Sequence, residues 1–275
     1  MKKTNVLALC ECGVMVSLAS VLSLVTLGSF PTGGSITLAS MLPVVVLAYR
    51  HGTVWGIGSA LAASLIQMLI GLSAFSYVTT WQSILAVALL DYVIAFAVYG
   101  LAGVFRKKIK NQALSMTLGA FIAGTLRYLC HVISGATVWA GLSIPDNAAL
   151  LYSLSYNATY MIPDTLILCL VTAYIASVID FKRDTPTRIK KQASSKLDFA
   201  LGISAPAVLL GALIFDTVAV FTKLQSESGE FDITLLSNVN WLAVGIVSLS
   251  AAVVAGALFA ILFIRNRRKE EARKA

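Results

Sequence analysis

The sequence predicts an all-α integral membrane protein of about eight crossings, on three observations: 58% of its 275 residues are hydrophobic, only 12% are charged, and the mean hydropathy is +0.84. Soluble domains carry about a quarter charged residues, so this composition excludes an ordinary soluble enzyme and points to a bilayer as solvent. At about 20 apolar residues per crossing, the chain has no room left for a sizeable catalytic head. The formal charge of +8 reads as topology rather than nucleic-acid binding, because cytoplasmic loops of membrane proteins collect Lys and Arg. Cys10, Cys12, Cys130 and Cys169 all lie in apolar runs, without the spacing of a zinc site or a disulfide framework.

The first apolar run, residues 6–27, is longer than a signal peptide and lacks a cleavage site followed by a polar chain, so it reads as the first helix. The second, 36–49, is short and carries Pro43, which fits a tilted or broken helix as well as a regular one. Spans follow at 54–72, 83–105, 115–142 and 150–179, and, after a polar interruption, at 199–221 and 241–264. The interruption is basic, contains Pro186 and reads as a cytoplasmic linker, dividing a six-helix unit (1–180) from a linker (181–198) and a two-helix appendix with a basic tail (199–275). Lys2, Lys3, Arg50, the cluster from Arg106 to Lys110, the linker and the tail alternate with connections at 31–34, 73–82 and 143–149 that hold no Lys or Arg. Of the 21 Lys and Arg, only Arg127 and Lys223 break this alternation, which predicts cytoplasmic termini and an even number of crossings. Small residues at four-residue spacing (Gly52, Gly56, Ala60 and Ser64; Gly119 and Ala123) read as packing within the chain, and the weaker Gly13–Ser17 face of the first helix as a surface for a membrane partner.

Ionisable groups inside a span need a partner, a cavity or a function. Counted at about 1.5 Å per residue from the outer end of each helix, Asp91 lies about 12 Å in, His131 about 16 Å and Asn157 about 10 Å, so three helices bring polar groups to one level. Tyr92, Trp139, Tyr152, Tyr156, Tyr77 and Trp81 surround that level. His131, Gly135 and Trp139 follow at i, i+4 and i+8, a face on which the glycine leaves a slot for a flat ligand. Tyr152 and Asn157 are about 140° apart on an ideal helix, so both reach one ligand only at an irregular helix start or with a ligand that wraps it. A carboxylate among aromatic faces suits a planar cation better than a sugar or a lipid. Arg127 and Asp164 come out deeper, about 21 to 23 Å in, and read as a separate structural ion pair.

These residues resemble a known family. The stretches 126–139 (LRYLCHVISGATVW) and 151–157 (LYSLSYN), with 43–52 (PVVVLAYRHG) and 89–105 (LLDYVIAFAVYGLAGVF), are similar to the thiamine-specific substrate-binding (S) component of energy-coupling factor transporters, over about residues 1–180. The resemblance implies a six-helix S-component bundle with thiamine held in its outer half by Asp91, Tyr92, His131, Gly135, Trp139, Tyr152, Ser153 and Asn157. It implies no cofactor and no catalysis. It also implies docking through the first helix, near Gly13 and Ser17, onto a membrane coupling subunit bearing two ATPase subunits, in the plasma membrane of a prokaryote. The chain has no GxxxxGK[ST] phosphate loop of its own, so ATP would be used only by those partners. The family's acidic position is commonly Glu where this chain has Asp91, which leaves another planar vitamin or precursor open as ligand. Its first-loop tryptophan has no counterpart, since 29–34 holds only Phe30 as an aromatic. An intramembrane enzyme is the remaining alternative. Against it, His51 is far in depth from His131 and no metal-ligand pair or paired acid and base is present.

Overall fold

The computed structural model describes residues 3–30, 34–139, 149–189, 196–224 and 233–274, and the chain divides into two compact units, Met1–Ile189 and Lys190–Ala275. In the first, α1 (Lys3–Ser23) leads into an antiparallel hairpin of β1 (Thr26–Ser29) and β2 (Ser35–Thr37). Then come α2 (Leu42–His51), α3 (Thr53–Ile70), α4 (Trp81–Phe105), α5 (Gln112–Thr137) and α6 (Ala149–Val178). A two-residue pair, β3 (Ile179–Asp180) with β4 (Thr187–Arg188), closes the unit. The second unit holds α7 (Lys196–Phe221) packed on α8 (Trp241–Lys274).

Among the described residues seven helices are long and apolar enough to cross a membrane; α2, with ten residues, is not. The span expected at 36–49 is therefore corrected: that pass is shared between the hairpin and α2. Ten residues rise only about 15 Å. The hairpin supplies the rest, because Thr37 at its end is bonded to Asp164 near the middle of α6, while Arg50 at the end of α2 reaches carbonyls just beyond the end of α6. Non-helical backbone at membrane depth is tolerated only where protein encloses it and satisfies its polar groups. The same hairpin ends α1 at Ser23 rather than near residue 27, since Thr26–Ser29 is drawn into strand pairing. Pro43 falls in the first turn of α2, where a missing N–H costs no helical bond.

α2 is apolar all round and buried throughout from Pro43 to Tyr49, as a helix enclosed by others must be. Its neighbours approach closely through glycine. A Cβ at Gly103 would overlap the carbonyl oxygen of Ala48, one at Gly119 that of Ala102, and one at Gly56 would strike Ala48. The small stripes of α3 and α5 thus pack within the chain. Gly13 has nothing within 4 Å of its Cβ position and Ser17 is exposed, so that face of α1 is open.

At the basic end Arg50 joins three elements. Its Nε and Nη2 donate to the two oxygens of Glu11 on α1, at 2.7 and 2.5 Å. Nη1 donates to the carbonyls of Phe181 and Arg183, and Nη2 also to that of Asp184. All five guanidinium N–H groups are thereby used on a side chain only 4% exposed. The first stretch of the expected linker, 181–189, is accordingly folded onto the first unit; 190–195 lie outside the described residues. Lysine has three donors and no planar fork. Arg50→Lys is therefore expected to lower the melting temperature in detergent by roughly 4–10 °C, and an unchanged value would remove the clasp from the stability of the fold.

Candidate ligand-binding chamber

Around the polar groups of α4, α5 and α6 lies a cavity of about 520 Å³, within the range for one small organic ligand. Asp91, Tyr92 and Phe96 line it from α4, Arg127 and His131 from α5, Trp139 from just past α5, and Tyr152, Tyr156, Asn157 and Tyr160 from α6. Thr26, Ser29, Gly34 and Ser35 of the hairpin region and Gln67 of α3 complete much of the wall.

Asp91 sits inside a π-helical stretch of α4, Ala88–Ile94, a local widening frequent at functional sites. Its Oδ2 accepts from the Ser134 hydroxyl at 2.7 Å and the Trp139 indole at 3.1 Å. Its Oδ1 lies 2.9 Å from His131 Nδ1. The tautomer of His131 follows from its other neighbour. Arg127 Nε, which can only donate, lies 3.3 Å from His131 Nε2, so Nε2 accepts and Nδ1 carries the proton toward Asp91.

Arg127 continues the chain. Its Nη1 donates to Asp164 Oδ2 at 3.3 Å, and its guanidinium lies over the Phe96 ring, 4.3 Å from the centroid. Asp164 Oδ1 in turn accepts from both the backbone N–H and the hydroxyl of Thr37, each at 2.8 Å. The expected Arg127–Asp164 pair forms, but its separation from the site is corrected: one polar chain runs from Asp91 through His131 and Arg127 to Asp164. Depth arithmetic along each helix cannot see that a long arginine reaches one turn to His131.

Tyr152 and Asn157 both line the cavity, and Tyr156 and Tyr160 fill the arc between them at about 40° and 80° round the helix. The Tyr152 and Tyr156 rings stack with centroids 6.1 Å apart, and Tyr156 meets Tyr160 edge-on. Asn157 is held by its own chain: Nδ2 donates to the carbonyl of Ser153 at 2.9 Å, and Oδ1 accepts from the Tyr160 hydroxyl. Gly135 and Ser153 are buried but stand behind the wall, where Ser153 Oγ donates to the Val132 carbonyl and fastens α6 to α5. α5 ends at Thr137, not near 142, so Trp139 lies off the helical face of His131 and Gly135 and turns toward Asp91. Tyr92 spends its hydroxyl on the Gly71 carbonyl at 2.9 Å and stacks on Phe75. Trp81 is 70% exposed and is absent from the wall, while Tyr77 leans on Trp139.

Sequence reasoning missed Ser134, Gln67, Phe96 and Tyr160 as parts of this wall or its supports. Ser134 stands one turn from His131, and the Tyr152–Tyr156–Tyr160 series repeats at i+4, so both carried a readable signal. Phe30 packs against Tyr156 and Tyr160, with ring centroids 6.3 and 5.6 Å apart.

The fold and this chamber define a multi-pass membrane protein built around a cavity of small-molecule size. Comparison with known proteins carries the assignment further. The chain belongs to the thiamine transporter protein family (Thia_YuaJ), whose pattern it matches over residues 9–182. It is 33% identical over 174 residues to the thiamine transporter ThiT of Bacillus subtilis (strain 168), an alignment spanning 59% of this chain and 86% of that protein. In fold it is similar to ThiT from Listeria monocytogenes, with a TM-score of 0.52 at 23% identity over 63% of this chain and 95% of that one. The family is one of transporters, not enzymes, and its match ends before α7 and α8.

The ion pair gives a direct test of the polar chain. Arg127→Met and Asp164→Asn should each lower the melting temperature, and the double variant should lose less than the sum, with a coupling of about 1–3 kcal/mol. Strictly additive losses would show that the two groups do not interact.

Proposed function

We propose that this protein is the thiamine-binding component of an ATP-driven vitamin importer. The observation that carries the reading is the charge of the polar chain that reaches the chamber: Asp91 and Arg127 line the wall, Asp164 stands behind it and pairs with Arg127, and two carboxylates against one guanidinium leave Asp91 as a negative charge among aromatic faces. A planar organic monocation is what such a wall complements, by charge pairing and cation–π attraction in a water-poor site. Family membership and the ThiT relative of Bacillus subtilis support thiamine as that cation.

In this reading Asp91 compensates the thiazolium charge, Trp139, Tyr92, Tyr152, Tyr156 and Tyr160 offer aromatic faces, and His131 and Asn157 fix orientation from positions held by Arg127 and Ser153. Gly135 and Ser153 support the α5–α6 seam. Thiamine enters from the outer face, and both termini lie in the cytoplasm of a prokaryote, as the distribution of Lys and Arg implies. Transport is driven by a membrane coupling subunit with two ATPases, which docks on the open Gly13–Ser17 face of α1.

Labelled thiamine mixed with the detergent-solubilised protein should bind saturably without ATP and quench tryptophan fluorescence, chiefly through Trp139. Asp91→Asn should weaken thiamine by about 100-fold or more, because a desolvated charge left without its partner typically costs 2–5 kcal/mol, while a neutral analogue lacking the thiazolium charge should lose far less. Equal losses for the two ligands would take Asp91 out of the charge-reading role.

The residues named in this wall all belong to the first unit. The second unit's open groove along α7 and α8 is lined by apolar side chains, Gly211 and Ser250, and within that unit Ser248 donates to Asp216 and Arg265 to Asp198. A chain stopped near Lys191 is therefore expected to insert and bind thiamine within about threefold of the full protein, less than one typical hydrogen bond contributes. A truncated protein that is folded by gel filtration yet fails to bind would show that the appendix completes the pocket.

A further inference from the structure

One amide in the chamber wall has an end with nothing to bond. Gln67 of α3 lines the cavity, and its Nε2 is shielded from solvent with no hydrogen-bond acceptor among the described residues. A buried donor that has lost water without gaining an acceptor is costly and rare, so one in a cavity wall points to a ligand that completes its bonding. The other polar side chains that α3 and α4 bring to this wall are already engaged. Both oxygens of Asp91 accept bonds, from His131, Ser134 and Trp139, and the Tyr92 hydroxyl donates to the Gly71 carbonyl. Gly71 in turn donates its N–H to the Gln67 carbonyl at 2.9 Å, so Gln67 stands one turn below the Tyr92 contact on the same helix face. α3 packs on α4 along the stretch that carries Asp91 and Tyr92, which puts this amide on the Asp91 side of the chamber.

Resting on the thiamine reading above, we infer that Gln67 is a specificity-determining residue that bonds the hydroxyl of the ligand's hydroxyethyl arm. The amide is neutral, so it complements a neutral polar group rather than the cationic ring. A hydroxyl can accept from Nε2 or donate to Oε1, so the match holds whichever way the amide is turned. The thiazolium ring carries that arm, and Asp91, which meets the thiazolium charge, lies on the same side of the chamber. The aminopyrimidine is left to His131 and Asn157 of α5 and α6. A wall built to bond a hydroxyl rejects an analogue that lacks it, because its own buried polar group stays unpaired. With an apolar side chain at position 67 the chamber would keep its charge and its aromatic faces but would no longer tell hydroxyethyl from ethyl.

The test is a cycle of two proteins and two ligands, with the full-length chain in detergent. Thiamine and an analogue bearing ethyl in place of the hydroxyethyl arm compete against labelled thiamine, in the parent and in Gln67→Met, which keeps the length of the side chain without its polar end. The parent should bind the ethyl analogue about tenfold less tightly than thiamine, as expected for one hydrogen bond. Gln67→Met should lose about tenfold for thiamine yet bind the ethyl analogue within about twofold of the parent. Oxythiamine, with a carbonyl in place of the pyrimidine amine, should lose as much as thiamine does in this variant. Without ligand, Gln67→Met should melt at or above the parental temperature, since it removes an unpaired buried donor. Equal losses for thiamine and the ethyl analogue overturn the assignment, as does a loss that disappears only with oxythiamine, which would move the contact to the pyrimidine. A clearly lowered melting temperature would make Gln67 a structural residue and overturn its role as a ligand contact. Failure of the parent itself to bind thiamine would instead remove the thiamine reading, and this assignment with it.

Discussion

An ionised side chain inside a bilayer has no water to return to, so the protein must provide all of its partners, and Arg127 is the group around which this fold meets that demand. Its guanidinium collects the ring of Phe96 from α4, the imidazole of His131 from its own helix and the carboxylate of Asp164 from α6. Asp164 then recruits Thr37, and His131 recruits Asp91. Each of these groups would be costly alone at that depth; linked, each answers the needs of the next. The arrangement also explains why the chamber is polar at its floor and aromatic along its sides. Charge is confined to one connected chain, and the tyrosines of α6 enclose it.

Around this chain the backbone departs from regular helix at several places: the π stretch carrying Asp91, the end of α5 before Trp139, and the hairpin that interrupts the second pass. All three border the cavity. Elsewhere the bundle is tightly closed, with Gly56, Gly103 and Gly119 letting α2, α3, α4 and α5 meet at backbone distance. A tightly packed scaffold that carries irregular segments at the cavity is the usual division of labour where precise side-chain placement is needed.

What could be read from the sequence follows from what periodicity and hydropathy encode. Long apolar runs give spans directly, so α3 to α8 were legible, and the intramembrane Asp91, His131 and Asn157 stood out because polar residues there demand a reason. The hairpin was not legible. Residues 24–30 are as apolar as a helix end, and nothing local reveals that Thr37 has an acceptor 127 positions away on α6. The same blindness hid the junction of Arg127 with the site, since helix arithmetic locates Cα atoms and a guanidinium acts several ångströms from its own. The end of α5 moved Trp139 off the predicted face, yet its indole, placed just beyond the helix, still reached Asp91. Reading residue types by chemistry thus outlasted errors in placing them by geometry.

The hairpin has a meaning for how such a protein can change over generations. Membrane insertion depends on the long apolar helices, whose sequences are constrained by the bilayer and by packing at backbone distance. Thr26, Ser29, Gly34 and Ser35 shape the chamber from a segment outside those helices. A substitution there reshapes the chamber while leaving the long apolar helices and their close packing unchanged, so the form of the cavity and the capacity to insert are separable properties of one chain.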